Sequence, residues 1–205
     1  MSPKPLRAHS LLEIDLYFMA TVCDRCGRGG LKCEGRRAGP DADRPGVVAE
    51  VRCEACGHES VMRFVLVGDG SPPDRDDLYP IINASDEPSE ILDVGQWIVL
   101  FRVVLEAASN ERDKIEARRK GYEAAQCLEE AIKFYEDDDD LPPAEAIFCE
   151  ASRQRRREHP EQFSRHHLLD MRAKLPALTT MQRQMVRSER EESTPHRGWW
   201  RFWRR

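Results

Sequence analysis

The order of apolar and polar residues divides the chain into a strand-rich first third and a helical second part. Residues 11–22 alternate apolar and polar side chains in part and are rich in strand formers, which predicts a β-strand. Residues 47–52 and 61–67 are rich in valine, and we expect them to pair in one small antiparallel sheet. Residues 35–46 contain several glycines and prolines, which predicts a loop between strands.

The second part of the chain has the periodicity of helices. Apolar residues from Trp97 onwards follow one helix face, namely Leu100, Phe101, Val104, Leu105 and Ala108. Because Ile98, Val99 and Val103 lie off that face, the helix is apolar nearly all round. We therefore expect it to be the central helix of its domain or one half of a dimer interface.

Three further helices are predicted after this one. The first has Asp113 in its opening turn and continues to about Tyr135. The next opens at Pro142 and Pro143, because proline is tolerated at the first position of a helix. A short helix over about residues 164–174 follows and ends before Pro176.

Two C-x-x-C pairs, each followed by a glycine, carry the clearest chemistry. Cys23 and Cys26 form the first pair, and Cys53 and Cys56 form the second. Such a turn presents two thiolates to one ion, and two turns complete the tetrahedral shell that zinc prefers. We expect one structural Zn²⁺ ion, because four protein ligands leave no coordination position for water. A redox or incidental role is the alternative, which two pairs without an adjoining βαβ pattern disfavour.

Residues 20–66, with these cysteine pairs, their glycines and the flanking strands, resemble the zinc-ribbon superfamily. That superfamily occurs in transcription factors, polymerase subunits, ribosomal proteins and many adaptors. The resemblance therefore implies a fold and a structural zinc ion, but it does not imply one particular function.

Together these patterns predict an α+β protein, in which a small antiparallel zinc ribbon precedes an all-α domain of about four helices and a disordered basic and aromatic tail. We expect a flexible lead-in at residues 1–10 and the ribbon module at 11–67. A linker at 68–88, the helical domain at 89–176 and the flexible tail at 177–205 follow.

Composition narrows the choice of partner and compartment. Of the 205 residues 34% are charged, and the formal net charge of −5 argues against a protein whose whole surface binds nucleic acid. Basic residues are concentrated at the C-terminus, so an anionic partner is expected there. No signal peptide is evident, and the apolar run at 97–105 is about half the length of a membrane span. We expect a cytoplasmic protein.

The remaining cysteines and histidines are expected to be structural or solvent-facing. Cys33 lies close enough to the first pair to replace a ligand, but a spare thiol is the favoured interpretation. Cys127 and Cys149 have apolar neighbours on helical patterns, which predicts small core residues. Three histidines, His159, His166 and His167, lie near one another in sequence, and we expect them on the surface.

A non-enzymatic adaptor is the function that these patterns favour, with a protein partner or self-association through the helical domain. No catalytic residue can be assigned, because no nucleophile–base pair or phosphate-binding glycine loop is recognisable. The first alternative is a nucleic-acid-binding ribbon protein of transcription or translation, with Arg36 and Arg37 on phosphates. An enzyme whose site lies in the helical domain is a third possibility. No aromatic residue lies between Cys23 and Cys56, so stacking on bases is not expected there.

The C-terminal end is rich in tryptophan and arginine, namely Trp199, Trp200, Arg201, Phe202 and Trp203. Indole rings and guanidinium groups favour the membrane interface, which suggests a peripheral position at the inner membrane face. The same residues suit a short anchor in the groove of a partner protein. A terminus without a role is the third interpretation.

Overall fold

The computed structural model describes residues 4–28, 30–39, 45–67, 79–136 and 138–193. The strands are β1 (Leu6–Ala8), β2 (Leu31–Ala38), β3 (Gly46–Cys53) and β4 (Glu59–Leu66). The helices are α1 (Leu11–Ala20), α2 (Val94–Asn110), α3 (Lys114–Ile132), α4 (Glu150–Glu158), α5 (Arg165–Ala173) and α6 (Leu178–Ser193). Short 3-10 helices span Ala144–Ala146 and Pro160–Phe163. The protein is therefore α+β, as the sequence predicts.

The four strands form one mixed sheet in the order β1-β4-β3-β2. The expected antiparallel pairing of residues 47–52 with 61–67 is confirmed by the β3–β4 hairpin. β1 adds a parallel strand on the other edge of β4, with Leu6 opposite Phe64. Because β1 lies within residues 1–10, the expectation of a flexible lead-in is wrong for residues 6–8.

Residues 11–20 form helix α1, so the predicted β-strand over 11–22 is wrong. Ser10 caps the helix, because its hydroxyl oxygen accepts a hydrogen bond from the backbone N–H of Glu13 at 3.0 Å. Tertiary packing then decides the outcome, since Ile14, Leu16 and Phe18 are all buried, and α1 packs against α2 as well as against the sheet. Helix α1 thereby covers the sheet face on which Phe64 of β4 lies.

A β-bulge in β2 sets which side chains of this strand face α1. The register with β3 shifts between Cys33 and Gly35, and beyond the shift Arg36 lies opposite Ala49. Ala49 is in the core, so Arg36 is on the α1 side, where it pairs with Asp15 and stacks on the Phe18 ring at 5.7 Å. β2 continues to Ala38, so the predicted loop over 35–46 begins later than expected.

Helix α2 is the central helix, as its apolar pattern predicts. Asp93 caps it with a reciprocal capping box that includes Gln96. Helices α1, α3 and α4 all pack against α2, and Trp97 and Ile98 are fully buried. Much of the apolar surface that the sequence predicts for α2 is thus covered by other helices of the same chain.

Two predictions for the later helices need correction. The helix expected from Pro142 begins only at Glu150, because residues 144–146 form a 3-10 turn that places Ile147 in the core. Residues 178–193, expected as part of a flexible tail, form α6, which packs against α3. Met185 of α6 lies in a small buried cluster with Tyr79 and Tyr122.

One continuous cluster of buried side chains extends from the sheet into the helices. It includes Phe64 of β4, Phe18 of α1, Trp97 of α2 and Leu168 of α5. The sheet and the helices thus share a core. The domain boundaries expected from the sequence stay predictions, and residues 68–78 of the expected linker lie outside the described residues.

Candidate metal centre

The two cysteine pairs lie in turns at the same end of the sheet. Cys23 and Cys26 occupy the connection between α1 and β2, which starts just after Thr21 caps the helix. Cys53 is the last residue of β3, and Cys56 lies in the tight turn that leads to β4. Because β2 pairs with β3, with Leu31 opposite Cys53, the sheet brings both turns together.

The four sulfur atoms form one cluster, and all lie within 4.8 Å of one another. The Sγ atoms of Cys23 and Cys56 are 3.8 Å apart, and those of Cys26 and Cys53 are 3.7 Å apart. These distances are well beyond the roughly 2.05 Å of a disulfide bond. Four free thiols in mutual contact therefore surround one position that a metal ion can occupy.

Each turn is closed in the same way by the glycine that follows it. Gly27 and Gly57 have φ angles of 63° and 70°, in the left-handed region that glycine adopts without strain. The backbone N–H of Gly27 donates to the carbonyl of Cys23 at 2.8 Å, and that of Gly57 donates to Cys53 at 2.9 Å. The glycines that the sequence places after each pair thus make the two turns equivalent.

Backbone N–H groups in the second turn favour a thiolate. The N–H of Cys56, followed by that of Ala55, stabilises the ionised sulfur of Cys53 and lowers its pKa to about 7. The backbone N–H of His58 also acts to lower the pKa of Cys56, but partial desolvation of its sulfur and the three neighbouring thiols raise it to about 11. Sulfurs this close oppose one another's ionisation, and a divalent cation removes that repulsion.

Burial is uneven across the cluster. Cys23 and Cys53 are 1% exposed, Cys26 is half-buried and Cys56 is exposed. Cys33 lies outside the cluster: its thiol contacts the carbonyl of Gly35 at 3.5 Å and its side chain packs against the main core. The metal position is thus held by the four cysteines of the C-x-x-C pairs.

The other residues singled out in the sequence lie elsewhere. Cys127 is fully buried on α3, as expected, whereas Cys149 is only half-buried and its backbone N–H donates to Asp93 at 2.8 Å. His159, His166 and His167 are exposed. Within the described part of the chain, no second group of such side chains has metal-binding geometry. The Trp/Arg-rich end, including Trp199, Trp200, Arg201, Phe202 and Trp203, lies outside the described residues.

The register of the sheet corrects the expected basic site. Arg36 and Arg37 were both expected on phosphates, but as neighbouring residues of a strand they lie on opposite faces, and Arg36 pairs with Asp15. On the face away from α1, Arg37 and Arg63 both lie opposite Val48, and both are exposed. Arg63 was not predicted as part of this surface, because only the strand pairing shows that it shares a face with Arg37.

Comparisons with known protein families, with curated proteins and with solved structures found no match. No helix in the described ranges has both the length and the apolar character needed to cross a membrane. Function is therefore inferred from the geometry of the described residues.

Proposed function

We propose that the protein is a non-enzymatic, cytoplasmic adaptor whose N-terminal ribbon holds one structural zinc ion. The observation that carries the proposal is the contact between four cysteine sulfurs supplied by two glycine-closed turns. Four thiolates fill the tetrahedral shell of zinc and leave no position for water or substrate, which is the arrangement of a structural site.

The spacing of the sulfurs supports zinc. With Zn–S bonds of about 2.3 Å, a regular tetrahedron places neighbouring sulfurs about 3.8 Å apart. Two of the six sulfur–sulfur separations are 3.7 and 3.8 Å, and all lie within 4.8 Å. Bound zinc would join the α1–β2 connection to the β3–β4 hairpin, and it would thereby fix the end of α1 against the sheet.

The metal assignment is tested by elemental analysis of purified protein in which Cys26 is changed to serine. The matched control is Cys33→Ser, because Cys33 is a half-buried thiol of the same sheet that lies outside the cluster. We expect one zinc per chain in the wild type and in Cys33→Ser, and a loss of tightly bound zinc in Cys26→Ser. Cobalt substitution should give the absorption of a tetrahedral four-thiolate site. A metal-free wild type, or equal zinc in both variants, would refute the assignment.

Exposed apolar side chains on α1 support the adaptor role. Leu11 and Met19 are 48% and 54% exposed on one side of the helix, and Val22, just beyond its end, is 54% exposed. Val103, on the outer side of α2, is 48% exposed. We propose that these surfaces contact a protein partner or a second copy of the chain.

Light scattering after gel filtration tests self-association. Under the proposal, wild-type protein forms a dimer or larger assembly that Met19→Glu or Val103→Glu disrupts. Arg153→Glu on the outer side of α4 is the control, since Arg153 is exposed and already surrounded by polar groups. If the wild type is monomeric, self-association is excluded and the proposal requires a partner protein. That partner should co-purify with the wild type and not with Met19→Glu.

For the C-terminal end we propose a tether, either to the membrane surface or to a partner groove. Liposome flotation of the full chain and of a chain lacking residues 197–205 distinguishes the two, with vesicles that contain anionic lipid. Flotation that depends on these residues supports the membrane version, and equal flotation of both chains removes it.

A nucleic-acid-binding ribbon is the second candidate, and the basic side chains on the outer sheet face favour it. Arg37 and Arg63 flank Val48 in one row across the three strands, and Lys32 and Arg52 lie further along the same face. Salt-dependent RNA or DNA binding that is lost in Arg37→Ala/Arg63→Ala, but kept in Arg153→Ala, would support this candidate. Unchanged elution from heparin after the double substitution would count against it.

A further inference from the structure

A polar cavity of about 400 Å³ lies between α2, α4 and the 3-10 helix at Pro160–Phe163, away from the cysteine cluster. Arg102 of α2 and Arg155 of α4 line it, together with Gln154, Glu158, His159 and Gln162. Its volume lies within the range of small-molecule sites, about 300–1,000 Å³. The cavity is thus large enough for a ligand and carries more positive than negative side chains.

The two arginines both line the cavity, and neither has an acidic partner there. In the described part of the chain, neither Arg102 nor Arg155 forms an ion pair. Arg153 and Arg157, on the same helix as Arg155, both pair with Glu150 on its other side. Two of the four arginines of α4 are thus engaged by Glu150, while Arg155 is left beside the cavity.

The side chain of Arg102 is fixed in position by a hydrogen bond and by partial burial. Its Nη1 donates to the Oε1 of Gln162 at 2.8 Å, and the side chain is half-buried. Burial, and next the positive charge of Arg155, lower the pKa of Arg102, while Glu161 offsets part of this effect. Like charges are thus kept together in a partly desolvated position, and an anion between them would relieve the repulsion.

We propose that this cavity binds a small molecule that carries a phosphate group, with the phosphate between Arg102 and Arg155. Guanidinium groups bind phosphate through paired hydrogen bonds, and arginine is the residue best suited to such recognition. A phosphate group has three oxygens that can accept hydrogen bonds from both guanidinium groups, whereas a carboxylate has only two. Glu158 and Gln154, which hydrogen-bond to each other at 2.9 Å, offer acceptors and donors to hydroxyl groups of the same ligand.

Isothermal titration calorimetry of the full chain tests the proposal, with inorganic phosphate, glycerol phosphate and acetate as separate ligands. We expect saturable binding of phosphate and tighter binding of glycerol phosphate. Arg155→Gln should weaken phosphate binding about tenfold or more, because it removes a charge-assisted hydrogen-bonding group. Arg153→Gln is the matched control from the same helix, and its affinity should stay within about twofold of the wild type.

Several results would overturn the proposal. One is the absence of saturable phosphate binding in the wild type, and another is equal weakening in Arg155→Gln and Arg153→Gln. Acetate that binds as tightly as phosphate would show a carboxylate site instead. Circular dichroism checks that each variant folds. Should Arg155→Gln not fold, Arg155→Lys keeps the charge but loses the planar fork, and an unchanged phosphate affinity in that variant would also overturn the proposal.

Discussion

Gly95, in the first turn of α2, is a position where adding one methyl group should be costly. An ideal Cβ at this position would lie 2.5 Å from the Oγ of Ser152, 2.6 Å from its Cβ and 3.2 Å from the ring of Phe163. Ser152 cannot rotate away without cost, because its hydroxyl donates to Asp93 at 2.7 Å and the residue is buried. Gly95→Ala must therefore push α4 away from α2.

The magnitude follows from these contacts. Non-bonded carbon atoms prefer separations of about 3.5–4.0 Å, so the overlap with Ser152 is about 1 Å. Overpacking of this kind costs about 1–3 kcal/mol. Displacing the Ser152 hydroxyl also weakens a hydrogen bond to a carboxylate, which contributes about 1.5–3 kcal/mol. The higher helix propensity of alanine offsets at most about 1 kcal/mol of this loss in stability. The free energy of unfolding should fall by about 2–4 kcal/mol.

Urea denaturation followed by tryptophan fluorescence and circular dichroism measures the effect, because Trp97 lies two residues from Gly95 and is fully buried. The control is Gly121→Ala in α3. An added Cβ there meets only the end of the Met181 side chain, at an ordinary 3.8 Å. This variant should match the wild type or be more stable by up to about 1 kcal/mol.

A Gly95→Ala protein that is as stable as the wild type would refute this reasoning. A double-mutant cycle with Ser152→Gly sharpens the test, since removing the Ser152 side chain should make the alanine at position 95 much less harmful. Equal costs of Gly95→Ala in the presence and absence of that side chain would mean that the contact with α4 is not responsible.

Other predictions concern the metal position, a buried ion pair, the last helix and a helix cap. Cys53→Ala should lose the bound metal and several kcal/mol of stability, so a chelator should lower the melting temperature of the wild type but not of this variant. Glu13, through its hydrogen bond to His9, raises the pKa of His9 above its ordinary value of 6.5. The stability that His9 contributes relative to His9→Gln should therefore be complete below pH 6.5 and decline as the pH rises through the elevated folded-state pKa. Urea titrations from pH 5 to 9 measure this difference, and in a Glu13→Gln background the stabilisation at low pH should be lost, because burial then lowers the pKa of His9. Met185→Ala should cost about 2 kcal/mol, measured by urea denaturation, and no loss would mean that α6 does not dock on α3. Asp113→Ala removes the cap whose carboxylate accepts from two backbone N–H groups of α3, and thermal denaturation should show a loss of about 1 kcal/mol that Asp113→Asn largely avoids.

The sequence predicts best where the decisive information is local. The metal position depends on two C-x-x-C turns with a glycine after each, so spacing alone identifies Cys23, Cys26, Cys53 and Cys56. The hairpin of β3 and β4 and the central helix α2 are likewise visible as apolar patterns. In each case neighbouring residues carry the signal.

Prediction failed where distant residues decide the structure. The stretch at 11–20 contains aromatic and β-branched residues that suit a strand, and only its packing on Phe64 fixes it as a helix. A local sign was nevertheless present, because Ser10 followed by Glu13 has the spacing of a capping box. β1 has only three residues, and its partner β4 lies at the other end of the N-terminal part of the sequence. No local pattern therefore predicts this strand. Helix α6 is held by a contact between Met185 and α3, which the sequence does not reveal.

The bulge in β2 gives this strand one residue more than its pairing with β3 requires. Changing the side chain of Glu34, which is exposed, would leave the strand unaltered. Removing that residue would place Gly35 directly after Cys33, and simple alternation would then keep Arg36 opposite Ala49 and on the side of α1. Strand β3 has no such spare residue, because its pairing with β4 is continuous from Gly46 to Arg52, so removing Glu50 would turn part of that strand to the opposite face. Lineages of this chain should therefore differ in length between Cys33 and Arg36 far more readily than within β3.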